Sequence, residues 1–208
     1  MSKVLGKVAI LYLQRTCACS GCYSDPIDGK WSAAVEAAED RLHERAIALQ
    51  AELGSYDPRT ERAIATLIVP AQRVARQFMR VATEFPHSIR IISGTRTYAE
   101  QDALYAIGRT TQLNRSPVTN AKAGRSNHNF GIAWDIGIFS ADGRYMTGAT
   151  KADVTAYRNL AAMVKAKLPA IEWGGDWKTF PDAPHYQLRT GLSVAETRAR
   201  FEAGKALG

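Results

Sequence analysis

A ten-residue string, Ser126-Asn127-His128-Asn129-Phe130-Gly131-Ile132-Ala133-Trp134-Asp135, constrains this chain more than any other. Its second half enters an alternating run that ends at Phe139. Ile132, Trp134, Ile136 and Ile138 share one face, and Ala133, Asp135, Gly137 and Phe139 share the other. Period-two alternation of this kind is the mark of a strand buried on one side. The fold must therefore contain a sheet with one packed face, while the other face carries an acid between two small residues. Ala133 and Gly137 are expected to leave room around Asp135 for a metal or a substrate.

A second string, Asp182-Ala183-Pro184-His185, lies about fifty residues on. Taken singly, His128, Asp135 and His185 read as ordinary core, surface or strand-end residues. Together they form a mixed nitrogen and oxygen set. Catalytic Zn²⁺ accepts such a set, with three protein ligands and a fourth position open to water. Asp182 offers a carboxylate that need not be a ligand, and a metal with a spare base is the equipment of a hydrolase. The spacing from His128 to Asp135 follows no general geometric rule. In a regular strand Asp182 and His185 would also point to opposite faces, although Pro184 argues against regular backbone there. Of the other histidines, His43 opens His43-Glu44-Arg45-Ala46-Ile47, where Ile47 replaces the second His of an H-E-x-x-H zinc helix. With one ligand that motif fails, and His43 and Glu44 read as a solvated helix face. His87 follows Pro86 and reads as a loop residue.

Along the chain, residues 1–55 and 56–208 differ in character. The first part holds Cys17, Cys19 and Cys22, a turn-like Ser24 to Gly29, and a helical pattern from about Ser32 to Leu53 that Gly54 stops. Three cysteines cannot all pair internally. They are expected to be reduced thiols in a loop or to include one local disulfide, and a metal cluster would need a further ligand such as His43. Residues 1–55 read as a helical extension packed on the main domain, or as a degenerate version of the short three-helix peptidoglycan-binding modules they loosely resemble. In the second part, Asp57-Pro58 opens a helix that Pro70 is expected to break or kink. A second helix carries Val74, Phe78 and Val81 on one face. A strand is expected at 88–92, and a turn at Ser93-Gly94-Thr95-Arg96. Thr97 and Glu100 form a capping box for a helix over 98–107, and a loop spans 109–127. A helix over 153–168, strands at 171–173 and 185–188 and a last helix over 194–203 complete the pattern. It predicts an α+β domain, with a small antiparallel sheet and helices packed around it.

The formal charge of +7 suits polyanionic partners. The cations are scattered, so nucleic acid is not singled out. No apolar run is long enough for a membrane span. Met1 to Leu13 lacks the long apolar region and cleavage site of a signal peptide.

The strings Ser126 to Asp135, Trp173-Gly174-Gly175-Asp176-Trp177 and Asp182 to His185, with Ser93-Gly94-Thr95-Arg96-Thr97 and Gln101 upstream, resemble a known peptidase family. These are the zinc peptidases of bacterial peptidoglycan stems, the D-Ala-D-Ala carboxypeptidases and L-alanyl-D-glutamate endopeptidases. The resemblance covers roughly residues 57–190. It implies that His128, Asp135 and His185 hold zinc. Asp182 would be the base that takes a proton from the metal's water, and Arg96 would face the carbonyl oxygen or a substrate carboxylate. It also implies that Ser126 and Gln101 support the site or touch substrate. Trp173 and Trp177 would wall the cleft, unless they pack in the core beside the Gly-Gly bend. The W-G-G-D-W string favours L-Ala-D-Glu cleavage over a D-Ala-D-Ala carboxypeptidase activity. A non-catalytic zinc-containing wall-binding domain is the alternative of another class. The expected partner is the peptidoglycan stem peptide. The expected setting is a monomeric enzyme made in the cytoplasm and released to the wall, as a phage lysin is, with an exported bacterial wall-remodelling enzyme as the alternative.

Overall fold

The computed structural model describes residues 5–207. Met1–Val4 and Gly208 lie outside the described residues, so of the N-terminal stretch read for a signal peptide only Leu5 onward is described. Among the described residues, seven α-helices surround one four-stranded antiparallel sheet, which is the α+β architecture expected. The strands are β1 (Ser88–Ser93), β2 (Ala133–Phe139), β3 (Ile171–Trp173) and β4 (His185–Leu188), in the order β1-β2-β4-β3.

The alternation of β2 sorts its residues as expected. Ile132, Trp134, Ile136 and Ile138 are fully buried. The register extends this packed face sideways, because Trp134 pairs with Tyr186 and Tyr186 with Trp173. Helix α4 (Val69–Ala82) lies on it, with Phe78 4.7 Å from the Tyr186 ring and 6.2 Å from that of Trp134. Helix α6 (Lys151–Lys167) joins the same core through Tyr157, Leu160, Ala161 and Val164.

The helix signals in the sequence correspond to real caps. Ser32 accepts a hydrogen bond from Val35 N at the start of α2 (Ala33–Leu53), and Gly54 follows its end. Asp57 caps α3 (Pro58–Ala65). Thr97 and Glu100 form both halves of the capping box of α5 (Tyr98–Ala106). Ser193 and Glu196 do the same for α7 (Val194–Glu202).

Two expectations are corrected. Pro70 neither breaks nor kinks a helix: α3 has already ended at Ala65, and Pro70 sits in the first turn of α4, where its missing N–H costs nothing. The cysteines are not in a loop. Cys17 and Cys19 are in the last turn of α1 (Lys7–Cys19), and Cys22 lies in the turn after it. All three are free and buried, and burial pushes the Cys17 and Cys19 thiols up to about 12, which disfavours the nucleophilic thiolate.

Helix α1 packs beside α7, where Tyr12 meets Phe201 at 5.4 Å. Helix α2 lies along α4. Among the described residues, no helix is long and apolar enough to cross a membrane.

Candidate metal centre and cleft

The register of the sheet assembles the site. Asp135, in the middle of β2, is paired with Ser93 on one side and His185 on the other. Cross-strand partners share a face, so this row is presented together on the side away from the packed core. His128 arrives from the adjoining turn. Residues Asn127–Phe130 form one turn of 3₁₀ helix, and Gly131 (φ 69°) reverses the chain into β2. The left-handed backbone at Gly131 suits glycine. A turn, a glycine and the start of a strand therefore account for the seven-residue step from His128 to Asp135.

Three donor atoms converge. His128 Nε2 lies 3.1 Å from Asp135 Oδ1 and 3.2 Å from His185 Nδ1, and His185 Nδ1 lies 3.4 Å from Asp135 Oδ1. Ligands of a tetrahedral zinc ion, each about 2.0–2.1 Å from the metal, stand about 3.3–3.4 Å apart. The triangle thus has the size of one face of such a tetrahedron, and the three residues could hold a metal ion.

The outward nitrogens of both rings are engaged. His128 Nδ1 donates to the Gly94 carbonyl at 2.7 Å, and His185 Nε2 donates to Gln187 Oε1 at 3.0 Å. Each bond fixes a tautomer and leaves the inward nitrogen with a free lone pair, as metal-binding histidines require. Gln187 is held in turn by Asn127, which donates to its Oε1, and by Glu172, which accepts from its Nε2.

The electrostatics suit a cation. Burial lowers the His128 imidazole below its usual value, and Asp135 opposes that shift without overcoming it. Burial also works against the Asp135 carboxylate, yet the imidazoles beside it, His128 first and then His185, favour its charged form and hold it well below the usual range. Near neutral pH both groups are in the form that binds metal.

Arg96 lines the cleft and is held against Asp135. Its Nη2 donates to Asp135 Oδ2 at 2.6 Å, Nη1 to Gln101 Oε1 at 3.2 Å, and Nε to Ser93 Oγ at 3.4 Å. Three of the five guanidinium N–H groups are thereby used, which leaves two for a substrate oxygen. Gln101 is fully buried and is no surface contact: its Nε2 donates to the Ala121 carbonyl at 2.8 Å.

The Asp182–His185 segment is a turn in which His185 N donates to the Asp182 carbonyl at 3.2 Å. The opposite-face objection of a regular strand therefore does not arise. The Asp182 carboxylate receives no hydrogen bond from the described residues and lines the cleft. Burial raises it above the ordinary Asp value, the charge of Asp135 adds to this, and His185, His128 and Arg96 oppose it.

A cleft of about 1110 Å³ lies over these groups. Ser126, Asn127 and His128 contribute to one side and Trp177 to Asp182 to another. The two tryptophans divide: Trp177 is 38% exposed and its ring lies 4.8 Å from that of His185. Trp173 is buried and donates Nε1 to the Ala183 carbonyl, so it braces the turn from the core. The expected space at Gly137 is filled by the rings of Phe139 and Tyr145. Gln187, Glu172 and Asn129 escaped the sequence reading. Gln187 had a signal, since it lies two residues from His185 on the same strand face. Asn129, whose Nδ2 donates to the Arg96 carbonyl, had none.

Residues 119–188 match the model of a family described as D-alanyl-D-alanine carboxypeptidase. The chain is 38% identical over 103 residues to the peptidoglycan L-alanyl-D-glutamate endopeptidase CwlK of Bacillus subtilis, covering 47% of this chain and 59% of that protein. The chain thus spans less than two thirds of that relative. The L-Ala D-Glu endopeptidase ChiX of Serratia marcescens aligns with a TM-score of 0.47 and 25% identity, over 65% of this chain and 90% of its own.

Proposed function

We propose that this chain, whose residues 119–188 match the D-alanyl-D-alanine carboxypeptidase family model, is a zinc peptidase that hydrolyses the L-Ala–D-Glu amide bond of the peptidoglycan stem. The observation that carries this reading is the triangle of His128 Nε2, Asp135 Oδ1 and His185 Nδ1, with both tautomers set and an unbonded Asp182 carboxylate at the same cleft. The name of the Bacillus subtilis relative favours this bond.

His128, Asp135 and His185 would hold the ion. Zinc there supplies a Lewis acid for the scissile carbonyl and acidifies water toward a pKa of about 7. Asp182 accepts a proton from the attacking water at its free carboxylate and returns it to the leaving amine. Arg96 orients Asp135 through its ion pair, and its two remaining N–H groups stabilise negative charge that grows on the substrate oxygen. Trp177 covers the His185 ring and limits the approach of bulk water. The free Asp182 argues against a purely wall-binding domain, which has no use for a base. The proposed setting is the cell wall, reached by release of the enzyme as in phage lysis.

Digestion of purified peptidoglycan by the zinc-loaded and the chelated protein, read by mass spectrometry, tests the proposal. New N-terminal D-Glu, lost on chelation and restored by zinc, is expected. Release of free D-Ala instead would mean carboxypeptidase activity, which the description of the family model favours. Asp182→Asn should keep the zinc and lose about 10²-fold or more in kcat; undiminished activity would overturn the role of Asp182.

A further inference from the structure

The cleft carries a charge pattern that the chemistry at its floor does not use. Arg96, Arg125, Lys178 and Arg198 line it, against the single acid Asp182. Two of these cations are already committed, Arg96 to Asp135 and Arg198 to Glu202. The side chains of Arg125 and Lys178 have no hydrogen-bond or ion-pair partner among the described residues, and they come from two different loops.

Their places in the chain keep them close to the reacting centre. Arg125 is three residues before His128, and Lys178 follows Trp177, whose ring lies against His185. Three residues of chain reach at most about 10 Å, the length of a few residues of extended substrate. The wall that carries Arg125 is also held firmly. Gln101 grips the Ala121 carbonyl, Asp102 accepts from Ala123 N, and Arg109 bonds the Thr119 carbonyl and Asn120 Oδ1. Arg125 is therefore presented on a braced turn, which lowers the cost of ordering it around a ligand.

We propose that Arg125 and Lys178 form a carboxylate-reading subsite, which selects stem peptides whose carboxyl groups beside the scissile bond are free and discriminates against stems in which they are amidated. The inference rests on the peptidase reading above. In a stem linked through the side-chain carboxyl of D-Glu, the α-carboxylate sits directly beside the bond to be cut. Amidation removes the charge while keeping nearly the same shape. It replaces an acceptor with a group that presents donors to two cations, so the loss is of charge pairing and not of fit.

The test uses two soluble stem peptides that differ only in a free or amidated D-Glu α-carboxyl group. Affinity is measured by calorimetry with zinc-loaded Asp182→Asn, and kcat/KM with the unaltered protein. The expected result is a preference for the free acid of about fivefold or more. It should weaken as salt rises and fall toward one in Arg125→Ala/Lys178→Ala. Arg125→Lys should retain part of it. Equal affinity for the two peptides, or a preference that survives in the double variant, overturns the subsite. Absence of cleavage with the binding preference intact would instead overturn the peptidase reading and leave the subsite standing.

Discussion

At Gly174 an added Cβ would lie 2.6 Å from the Asp182 carbonyl and 2.9 Å from His185 Cβ. The Gly174 carbonyl also accepts the Asp182 N–H at 3.0 Å. One residue thus presses the turn that places the proposed base next to a proposed ligand, and only a hydrogen fits between them. Gly174→Ala should push that turn away. We expect a loss of about 1–3 kcal/mol in stability, as for other overpacking changes, and at least tenfold weaker zinc binding. Chemical denaturation and competition with a chelator measure the two. A pH effect belongs to the same scale. The His128 pKa is lower in the folded protein than the ordinary 6.5, so the unfolded chain takes up a proton first as pH falls. The stability tied to neutral His128 is then present above pH 6.5 and is lost as pH falls through the lower folded value. The metal-free protein should melt at progressively lower temperature below pH 6.5. Zinc should still be retained somewhat below that pH, where a free imidazole would already be protonated. Thermal melts and metal analysis across pH 4.5–7.5 check both, and a melting temperature flat across that range would contradict the assignment.

The elements differ in how plainly the sequence announced them. Strand β2 was legible because its alternation is strict, and α5 because its capping box is local. Both signals lie within a few residues of chain. Helix α1 was not legible: its buried positions include Gln14, Thr16, Cys17 and Cys19, so no apolar stripe marks it. Gln14 is buried because its amide bonds Asp28, the Lys30 carbonyl and Gly29 N, partners that no periodicity reveals. The ligand trio was visible as residue types, while its geometry needed the pairing of Asp135 with His185 across two strands. The commitment of Arg96 to Asp135 was hidden for the same reason. Helix α5 shows what such a link does. Gln101 holds Arg96 with its oxygen and the cleft wall with its nitrogen, so Gln101→Ala loosens both at once. The buried partners left behind should cost about 1–3 kcal/mol, and kcat/KM should fall about tenfold while zinc content is kept. Steady-state kinetics beside metal analysis separates this from loss of the metal site.

On the scale of the whole molecule, the N-terminal helices are joined to the rest by more than surface contact. Tyr12 packs on Phe201, and its hydroxyl donates to the Asn129 carbonyl at 2.8 Å. Asn129 stands next to His128, and its amide holds the Gly124 N–H and the Arg96 carbonyl. Cys19 belongs to the main core, and Ser20 Oγ accepts the Val69 N–H at the start of α4. About two turns further along that helix Arg76, almost fully buried, pairs with Glu61 at 2.7 Å and donates to the Gly54 carbonyl at the end of α2. Removing residues 1–55 would strip apolar cover from α4 and α7 and take away the partners of the Asn129 carbonyl and the Val69 N–H, while Arg76 would keep Glu61 and lose the Gly54 carbonyl. Unpaired buried groups are costly, and the exposed apolar face would favour association. A chain of residues 56–208 should therefore be poorly soluble, or melt far below the full-length protein, and should not behave as a free-standing catalytic domain. Tyr12→Phe isolates one strand of this argument, since it keeps the ring and removes only the hydrogen bond to Asn129. It should cost about 1 kcal/mol and weaken zinc binding detectably, because the Asn129 carbonyl it releases adjoins a ligand. Thermal denaturation of the truncated chain, together with zinc titration of Tyr12→Phe, decides the matter. A truncated chain that melts like the full-length protein would show that the N-terminal helices are an accessory to the site and no part of its support.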